Sequence, residues 1–348
     1  MSIFFDHIKR IRSPYIVAEI GSNHNGDMDL AKKMVLQAKE CGSDCVKFQS
    51  FNKTSIISKG EYQKNQKYND SAKKHFGSLE EMVEKYYLRK EQHYELKSYC
   101  DKIGIDFAST AFSKEEADVL FELDVPFIKV ASMDINNLPF LNYLASKMKP
   151  MVLSTGMADL SEIDIAIKTI EYTGNNEIIL LHCISIYPPK YEDINLNNIK
   201  MLKETFEYPV GFSDHSLGTS IPLASVALGS CIIEKHFTLD KNMPGWDHDI
   251  SANPKELEEI VRESKNIATA MGSKKRVVSP DELEKQGKFR RSLVVSRDVK
   301  LGEILGEDDL LSKRPGKGIP PGEMKYVIGR TLKNDVGEDE LLKWDDFI

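Results

Sequence analysis

Apolar residues come in eight short, nearly unbroken runs along the first three-quarters of the chain. They are YIVAEIG (15–21), CVKFQSF (45–51), IDFAST (105–110), PFIKVAS (126–132), MVLSTG (151–156), IILLHCIS (178–185), PVGFSD (209–214) and SCIIEKHF (230–237). Runs that do not alternate with polar residues suit strands buried on both faces, as in a parallel sheet covered by helices. Most stretches between them carry helical spacing instead. MDLAKKMVLQAKECG sets Leu30, Met34, Ala38 and Cys41 on one stripe and stops at Gly42. SKEEADVLFEL opens on Ser113 with Glu116 three residues on, the pattern of a reciprocal N-terminal cap. NPKELEEIVRESKNIATAMG supplies a last helix. Eight strands alternating with helices predict an α/β fold, a closed parallel (β/α)8 barrel of the triosephosphate-isomerase (TIM) type.

The spacing breaks once. From Asn52 to Arg89 a polar stretch rich in Lys and Tyr separates the second strand from its helix. A connection that long usually has a purpose. It reads equally as a lid or subunit contact and as a solvated excursion with a short helix at SLEEMVEKYY. After Gly272 the character changes to a charged connector, then to a compact Gly- and Pro-rich segment with short strands and many turns. The expected limits are a barrel over 1–272, a linker over 273–288 and a small domain over 289–348. A segment that small is marginal alone and should pack on a barrel, its own or a partner's.

Composition narrows the function classes. With 348 residues, 41% hydrophobic and 29% charged, the chain is an ordinary globular protein long enough for a large barrel and an appendage. A net charge of −7 with evenly spread lysines argues against a nucleic-acid partner. Cys41, Cys45, Cys100, Cys183 and Cys231 form an odd set without CxxC spacing, which reads as reduced thiols. No export signal is visible in MSIFFDHIKRIRSPY and no window approaches 18 apolar residues, so a cytoplasmic enzyme with no membrane span is expected.

In such barrels the chemistry sits at the C-terminal ends of the strands. Those ends offer Glu19; Lys47 and Gln49; Ser109 and Thr110; Lys129, Ser132 and Asp134; Ser154 and Thr155; His182, Ser185 and Tyr187; Ser213, Asp214 and His215; Glu234, Lys235 and His236. Lysines inside apolar strands (VKF, IKV) must pair or bind an anion, because an unpaired buried charge is costly. Among Ser and Thr hydroxyls they describe a phosphate or carboxylate pocket, although lysine–glutamate pairs in barrels can be structural. Strands seven and eight are neighbours in a closed barrel, so His215 and His236 emerge side by side. Two neutral imidazoles with open positions suit Mn²⁺, Zn²⁺ or Co²⁺. His248, in the loop PGWDHD, is the less constrained alternative partner.

Taken in order, AEIGSNHNGD, VKFQS, IKVAS, LSTGM, LHCISIYP, GFSDHSLG and EKHFTLDK resemble the bacterial sialic acid synthase family, which includes N-acetylneuraminate, legionaminate and pseudaminate synthases. The segment around KRPGKGI is similar to the antifreeze-like (SAF, β-clip) domain those enzymes carry. The resemblance implies condensation of phosphoenolpyruvate with a six-carbon N-acylated amino sugar or related hexose, a step in cell-surface polysaccharide biosynthesis. It also implies a domain-swapped homodimer in which each antifreeze-like domain caps the other barrel. By the same resemblance Lys47, Thr110, Lys129, Ser132, Ser154, Ser185 and Ser213 hold phosphoenolpyruvate. His215 and His236 hold a divalent metal, manganese first, with magnesium or cobalt as alternatives. Gln49, Asp134, Tyr187, Asp247 and Phe289 meet the sugar, Arg314 arrives from the partner, and Glu19 works through water near the metal. A structural salt bridge between Glu19 and a lysine is the competing account of that residue.

Two departures bear on the sugar. Asp134 stands where many members have Glu, and Trp246 replaces the second Pro of a Pro-Gly-Pro-Asp loop. His248 either touches the sugar or caps its own loop. Two rival functions stand beside the main one. One is another phosphoenolpyruvate-condensing 3-deoxy-ulosonate synthase; the other is a carbohydrate- or ice-binding SAF module on an inert barrel.

Overall fold

The computed structural model describes residues 2–67 and 77–348. The chain forms two compact units, Met1–Gly272 and Ser273–Ile348. In the first, eight parallel strands close a barrel in chain order: β1 (Tyr15–Gly21), β2 (Cys45–Ser50), β3 (Asp106–Ala111), β4 (Ile128–Val130), β5 (Met151–Ser154), β6 (Ile178–Cys183), β7 (Val210–Asp214) and β8 (Ile232–His236). β1 pairs with both β2 and β8, Glu19 lying opposite Lys47 on one side and His236 on the other. The eight runs read from the sequence are these eight strands.

Each strand has two apolar faces, and the barrel sorts them by a period of two. Ile16, Ala18 and Ile20 of β1, Val46 and Phe48 of β2 and Met151 and Leu153 of β5 join the core between barrel and helices. Val17, Cys45, Ala108, Phe127, Val152, Ile179, Leu181 and Ile232 fill the barrel's lower interior. A helix ahead of β1, α1 (Ile3–Arg10), closes that end. Its Phe5 and Ile8 are buried with the lower interior, and its Phe4 stacks on Phe127 at 4.9 Å. The interior is therefore dry below, which forces the polar chemistry upward.

Helix α2 (Met28–Glu40) begins at Asp27, whose carboxylate accepts from the backbone of Asp29 and Leu30. It buries Ala31, Met34, Val35 and Ala38 against the sheet. The long connection after β2 holds α3 (Lys59–Lys64) and α4 (Leu79–Tyr86) before the crossover helix α5 (Lys90–Ile103). It is no solvated excursion. Phe51, Tyr62, Leu79, Val83 and Tyr86 form a separate buried cluster, with Ile56, Ile57, Met82 and Phe112 packed against it. Residues 68–76 of that connection lie outside the described residues. The cap expected at Ser113 is half formed: its hydroxyl accepts from Glu116 N. The Glu116 carboxylate instead accepts from Asn52 Nδ2 at 2.7 Å and Ser55 Oγ at 2.8 Å, tying down the start of the insertion.

The second unit has its own core, including Leu293, Val295, Leu310, Ile319, Leu332 and Leu342. Strand β9 (Ser292–Val295) pairs antiparallel with β10 (Leu310–Lys313). The stretch expected as a linker contains a helix, Pro280–Phe289, capped by Ser279. Among the described residues no helix is long and apolar enough to cross a membrane.

Gly211 marks a close approach of β7 to β8. A Cβ there would meet Ile232 O at 2.6 Å and Leu181 Cδ2 at 2.7 Å, so the neighbouring strand itself would have to move. Gly211→Ala is expected to cost about 1–3 kcal/mol by overpacking. Urea unfolding measures this, and a wild-type midpoint would contradict it.

Candidate functional site

Above the apolar layer the inward positions turn charged. Glu19, Lys47, Lys129 and Glu234 occupy β1, β2, β4 and β8, all nearly fully buried. Lys47 Nζ lies 2.6 Å from Glu19 Oε2 and 3.8 Å from Glu234 Oε2, and Lys129 Nζ lies 3.7 Å from Glu234 Oε1. Hydroxyls complete the ring: Lys47 donates to Thr110 Oγ1 at 3.1 Å, Lys129 to Ser154 Oγ at 2.7 Å, and Ser213 Oγ to Glu234 at 3.0 Å. Two acids balance two bases, the condition under which four charges can stay buried.

The environments split the two carboxyls. Burial raises Glu19, and with Glu234 nearby it outweighs the pull of Lys47. Burial also acts on Glu234, but Lys129 and Lys47 together, helped by Ser213, hold it below the usual range. The two carboxyls are thus pushed apart, Glu234 toward the anion and Glu19 toward the acid form. Lys129 is pushed down by burial despite Glu234, whereas for Lys47 the two glutamates overcome burial and push it up.

At the next level the His215 and His236 rings stand 5.4 Å apart, with Tyr187 stacked on His215 at 4.0 Å. His215 Nδ1 faces the Ile184 carbonyl at 2.8 Å, which leaves Nε2 for the cavity. His236 is held well below the ordinary histidine range by burial and by His215 and Lys47. Its Nδ1 is buried without a hydrogen-bond partner among the described residues and lies 3.7 Å from Asp247 Oδ2. These are donor atoms that a divalent ion would take. No three His, Cys, Asp or Glu side chains among the described residues converge on one point, so an ion here would leave positions to water and substrate.

All of this lines one cavity of about 670 Å³. Its walls include Glu19, Lys47, Gln49, Thr110, Lys129, Ser132, Ser154, Ser185, Tyr187, Ser213, His215, His236 and Asp247, thirteen of the sixteen side chains singled out from the sequence. Gln49 donates to Glu19 at 3.1 Å. Asp134 is not in the lining. It closes the 3-10 turn Ser132–Asp134, and its Oδ1 accepts from Asn137 Nδ2. Phe289 and Arg314 belong to the second unit, where the guanidinium lies 5.2 Å from the ring centre.

Five other strand-end candidates face away from the cavity, because a neighbour in a strand points to the opposite side. Ser109 bonds Ser50, and His182 Nε2 meets Ile194 O. Asp214 and Lys235 pair with each other at 2.8 Å. Thr155 likewise spends its hydroxyl on Leu181 O. Sequence reasoning named two contributors without giving either a place in the site. Glu234 sat in the same triplet as His236, and only inward alternation separates it from Lys235. The insertion supplies a wall of the cavity through Ile56, Ile57, Leu79, Met82, Val83 and Tyr86, signalled in the sequence only by scattered apolar residues.

Comparison with known proteins now has a site to refer to. Residues 34–276 match the NeuB family and residues 290–348 the SAF domain. The chain belongs to the NeuB family. N,N'-diacetyllegionaminic acid synthase of Legionella pneumophila is 40% identical over 339 residues, covering 95% of this chain and 94% of that one. Human N-acetylneuraminate-9-phosphate synthase is 35% identical over 331 residues, covering 94% and 91%. The crystal structure of the N-acetylneuraminic acid synthetase of Leptospira borgpetersenii, a complex with citrate, superposes with a TM-score of 0.71. It is 35% identical and covers 79% of this chain and 90% of its own.

In this NeuB-family chain the quartet makes a stability prediction. Glu234→Gln leaves Lys129 without its carboxylate and should cost about 3 kcal/mol, as for other broken buried pairs. Inorganic phosphate should raise the melting temperature of that variant more than that of wild type, since it restores the missing charge. Equal melting with and without phosphate in both proteins would refute the balance argument.

Proposed function

We propose that this chain is a nonulosonic acid synthase that condenses phosphoenolpyruvate with an open-chain six-carbon N-acylated amino sugar. The observation that carries the proposal is the pair of buried lysines among hydroxyls, set beneath two imidazoles in one open cavity. Relatives named for legionaminic acid and N-acetylneuraminate 9-phosphate synthesis support the same class of reaction. An inert barrel would gain nothing from four internal charges.

The enolpyruvyl phosphate enters between Lys47 and Lys129, its oxygens met by Thr110, Ser132, Ser154, Ser185 and Ser213. Each lysine then trades part of its glutamate pairing for the substrate anion. Glu19, relieved of Lys47, becomes still readier to hold a proton. The enol C3 attacks the sugar aldehyde carbon, forming the C–C bond while the aldehyde oxygen gains a proton. Positive charge at C2 is met by water, whose proton Glu19 accepts. The C2–O bond to phosphate then breaks, giving the 2-keto acid and inorganic phosphate, with one water consumed. Gln49, Tyr187 and Asp247 line the space left for the sugar. His215 and His236 would hold the divalent ion, which in this reading is manganese, with magnesium or cobalt as alternatives. When bound, such an ion supplies Lewis acidity to the aldehyde oxygen.

Purified protein with Mn²⁺ should release phosphate from phosphoenolpyruvate only when an aldehyde sugar is present. Release without sugar, or none with any of a panel of six-carbon amino sugars, would overturn the proposal. The raised Glu19 carboxyl sets the acid side of the rate profile. As base it must be ionised, so kcat/KM should fall as pH drops through a range above the usual carboxylate value. Glu19→Gln should abolish that limb and cost roughly 10²–10⁴ in rate. A pH profile unchanged by the substitution would reassign Glu19 to structure.

A further inference from the structure

Trp246 and Asp247 reach the cavity from the loop after β8, which has no regular structure of its own. Something must hold it. Thr238 Oγ1 accepts from Asp240 N at 3.2 Å, lies 3.1 Å from Asp240 O and lies 2.6 Å from His248 Nδ1. On the far side of the ring, Nε2 lies 3.4 Å from Asn25 Oδ1, and Asn25 Nδ2 donates to Pro244 O at 2.9 Å. That last bond fixes the orientation of the Asn25 amide. Its oxygen therefore faces the ring, and Nε2 must carry the proton. Nδ1 is left to accept, and the Thr238 hydroxyl proton goes to it at 2.6 Å in preference to the Asp240 carbonyl at 3.1 Å. The ring is almost fully buried, and burial pushes it down to about 4, so it stays neutral in that tautomer at working pH.

Gly245 fits over this chain because it lacks a side chain. A Cβ there would meet His248 Nε2 and Asn25 Oδ1, each at 2.7 Å. A second tie lies beyond Asp247, where Ser251 Oγ donates to Asp247 O at 2.6 Å and accepts from Asn23 Nδ2 at 2.9 Å. Trp246 and Asp247 are thus flanked by two anchors, each ending on an asparagine of the loop after β1.

We propose that His248 is a positioning residue, which fixes the Trp246–Asp247 segment at the cavity mouth by bridging Thr238 and Asn25. It touches no substrate itself and is not part of the cavity lining. The kinetic part of the test rests on the proposed function; the spectroscopic part does not.

The chain has two tryptophans, so Trp344→Phe leaves Trp246 as a single reporter. In that background acrylamide quenching of Trp246 should rise about twofold in His248→Ala, as expected when a held loop opens locally. Asn25→Gly and Thr238→Val should do the same, while Thr238→Ser, which keeps the hydroxyl, should match the parent. Asn25→Gly is the safeguard should His248→Ala fold poorly, because glycine tolerates the φ of +54° found at Asn25. With N-acetylmannosamine and a 2,4-diacetamido-2,4,6-trideoxyhexose as probes, the sugar KM should rise about tenfold, the scale of one lost hydrogen bond to a charged group. The KM for phosphoenolpyruvate should stay within about twofold, because the quartet is untouched. Parent-like quenching in the folded variants would overturn the positioning role. So would a fall in melting temperature with equal changes in both KM values. If the parent turns over no sugar of the wider panel, the functional reading fails and quenching alone decides the role of His248.

Discussion

Lys47 and Lys129 point into the barrel from between apolar neighbours on their strands, and the rest of the site follows from what it takes to keep them there. An ammonium moved from water into a protein interior loses several kcal/mol of solvation even after relaxation. The molecule offsets this with two carboxylates and three hydroxyls drawn from the remaining strands. Glu19 and Glu234 come from β1 and β8, the hydroxyls from β3, β5 and β7. Closing the barrel is what brings β8 beside β1, so the charge balance exists only in the closed fold. The dry layer beneath, sealed by α1, keeps water from entering from below and leaves the mouth as the route of exchange.

The strands were legible because both faces are apolar and the runs stand out against polar connections. The same feature hides which residue faces inward, since alternation is invisible where both sides are buried. Lys47 and Lys129 escaped this difficulty because a charge inside such a run demands a partner wherever it points. Asp214, Lys235 and His182 did not escape it. They sit one residue from inward positions, and a single step along a strand exchanges the two faces.

Other features lay beyond sequence reasoning for a different physical reason. The insertion after β2 buries its apolar residues through contacts between segments distant in sequence, such as Tyr62 with Leu79 and Tyr86, and no local period announces that. Glu116 shows the competition directly, giving up its place in a local cap to bind Asn52 and Ser55. Asp134 likewise turns to Asn137 within its own turn, where a side chain shorter by one methylene is well placed to do so. For Glu116 two sets of partners were available to one polar group, and tertiary packing chose between them.

Among the described residues two nearly fully buried lysine–carboxylate sets lie in this barrel, and their geometry separates scaffold from site. On the outward face Lys235 is 2.8 Å from Asp214 and also reaches the Ser216 carbonyl, while Asp214 accepts from Ser216 N. That pair is closed, with its hydrogen-bonding capacity spent locally. On the inward face Glu234 is 3.7–3.8 Å from both lysines, beyond hydrogen-bond length, and only the Lys47–Glu19 contact is tight. Such pairs supply charge balance while leaving donor directions unused. In the proposed reaction an arriving anion takes up those directions, and the tighter Lys47–Glu19 contact is the one that must loosen. Loose pairing on one face and close pairing on the other, built from the same residue types, separates an inner set that lines the cavity from an outer set that is part of the frame.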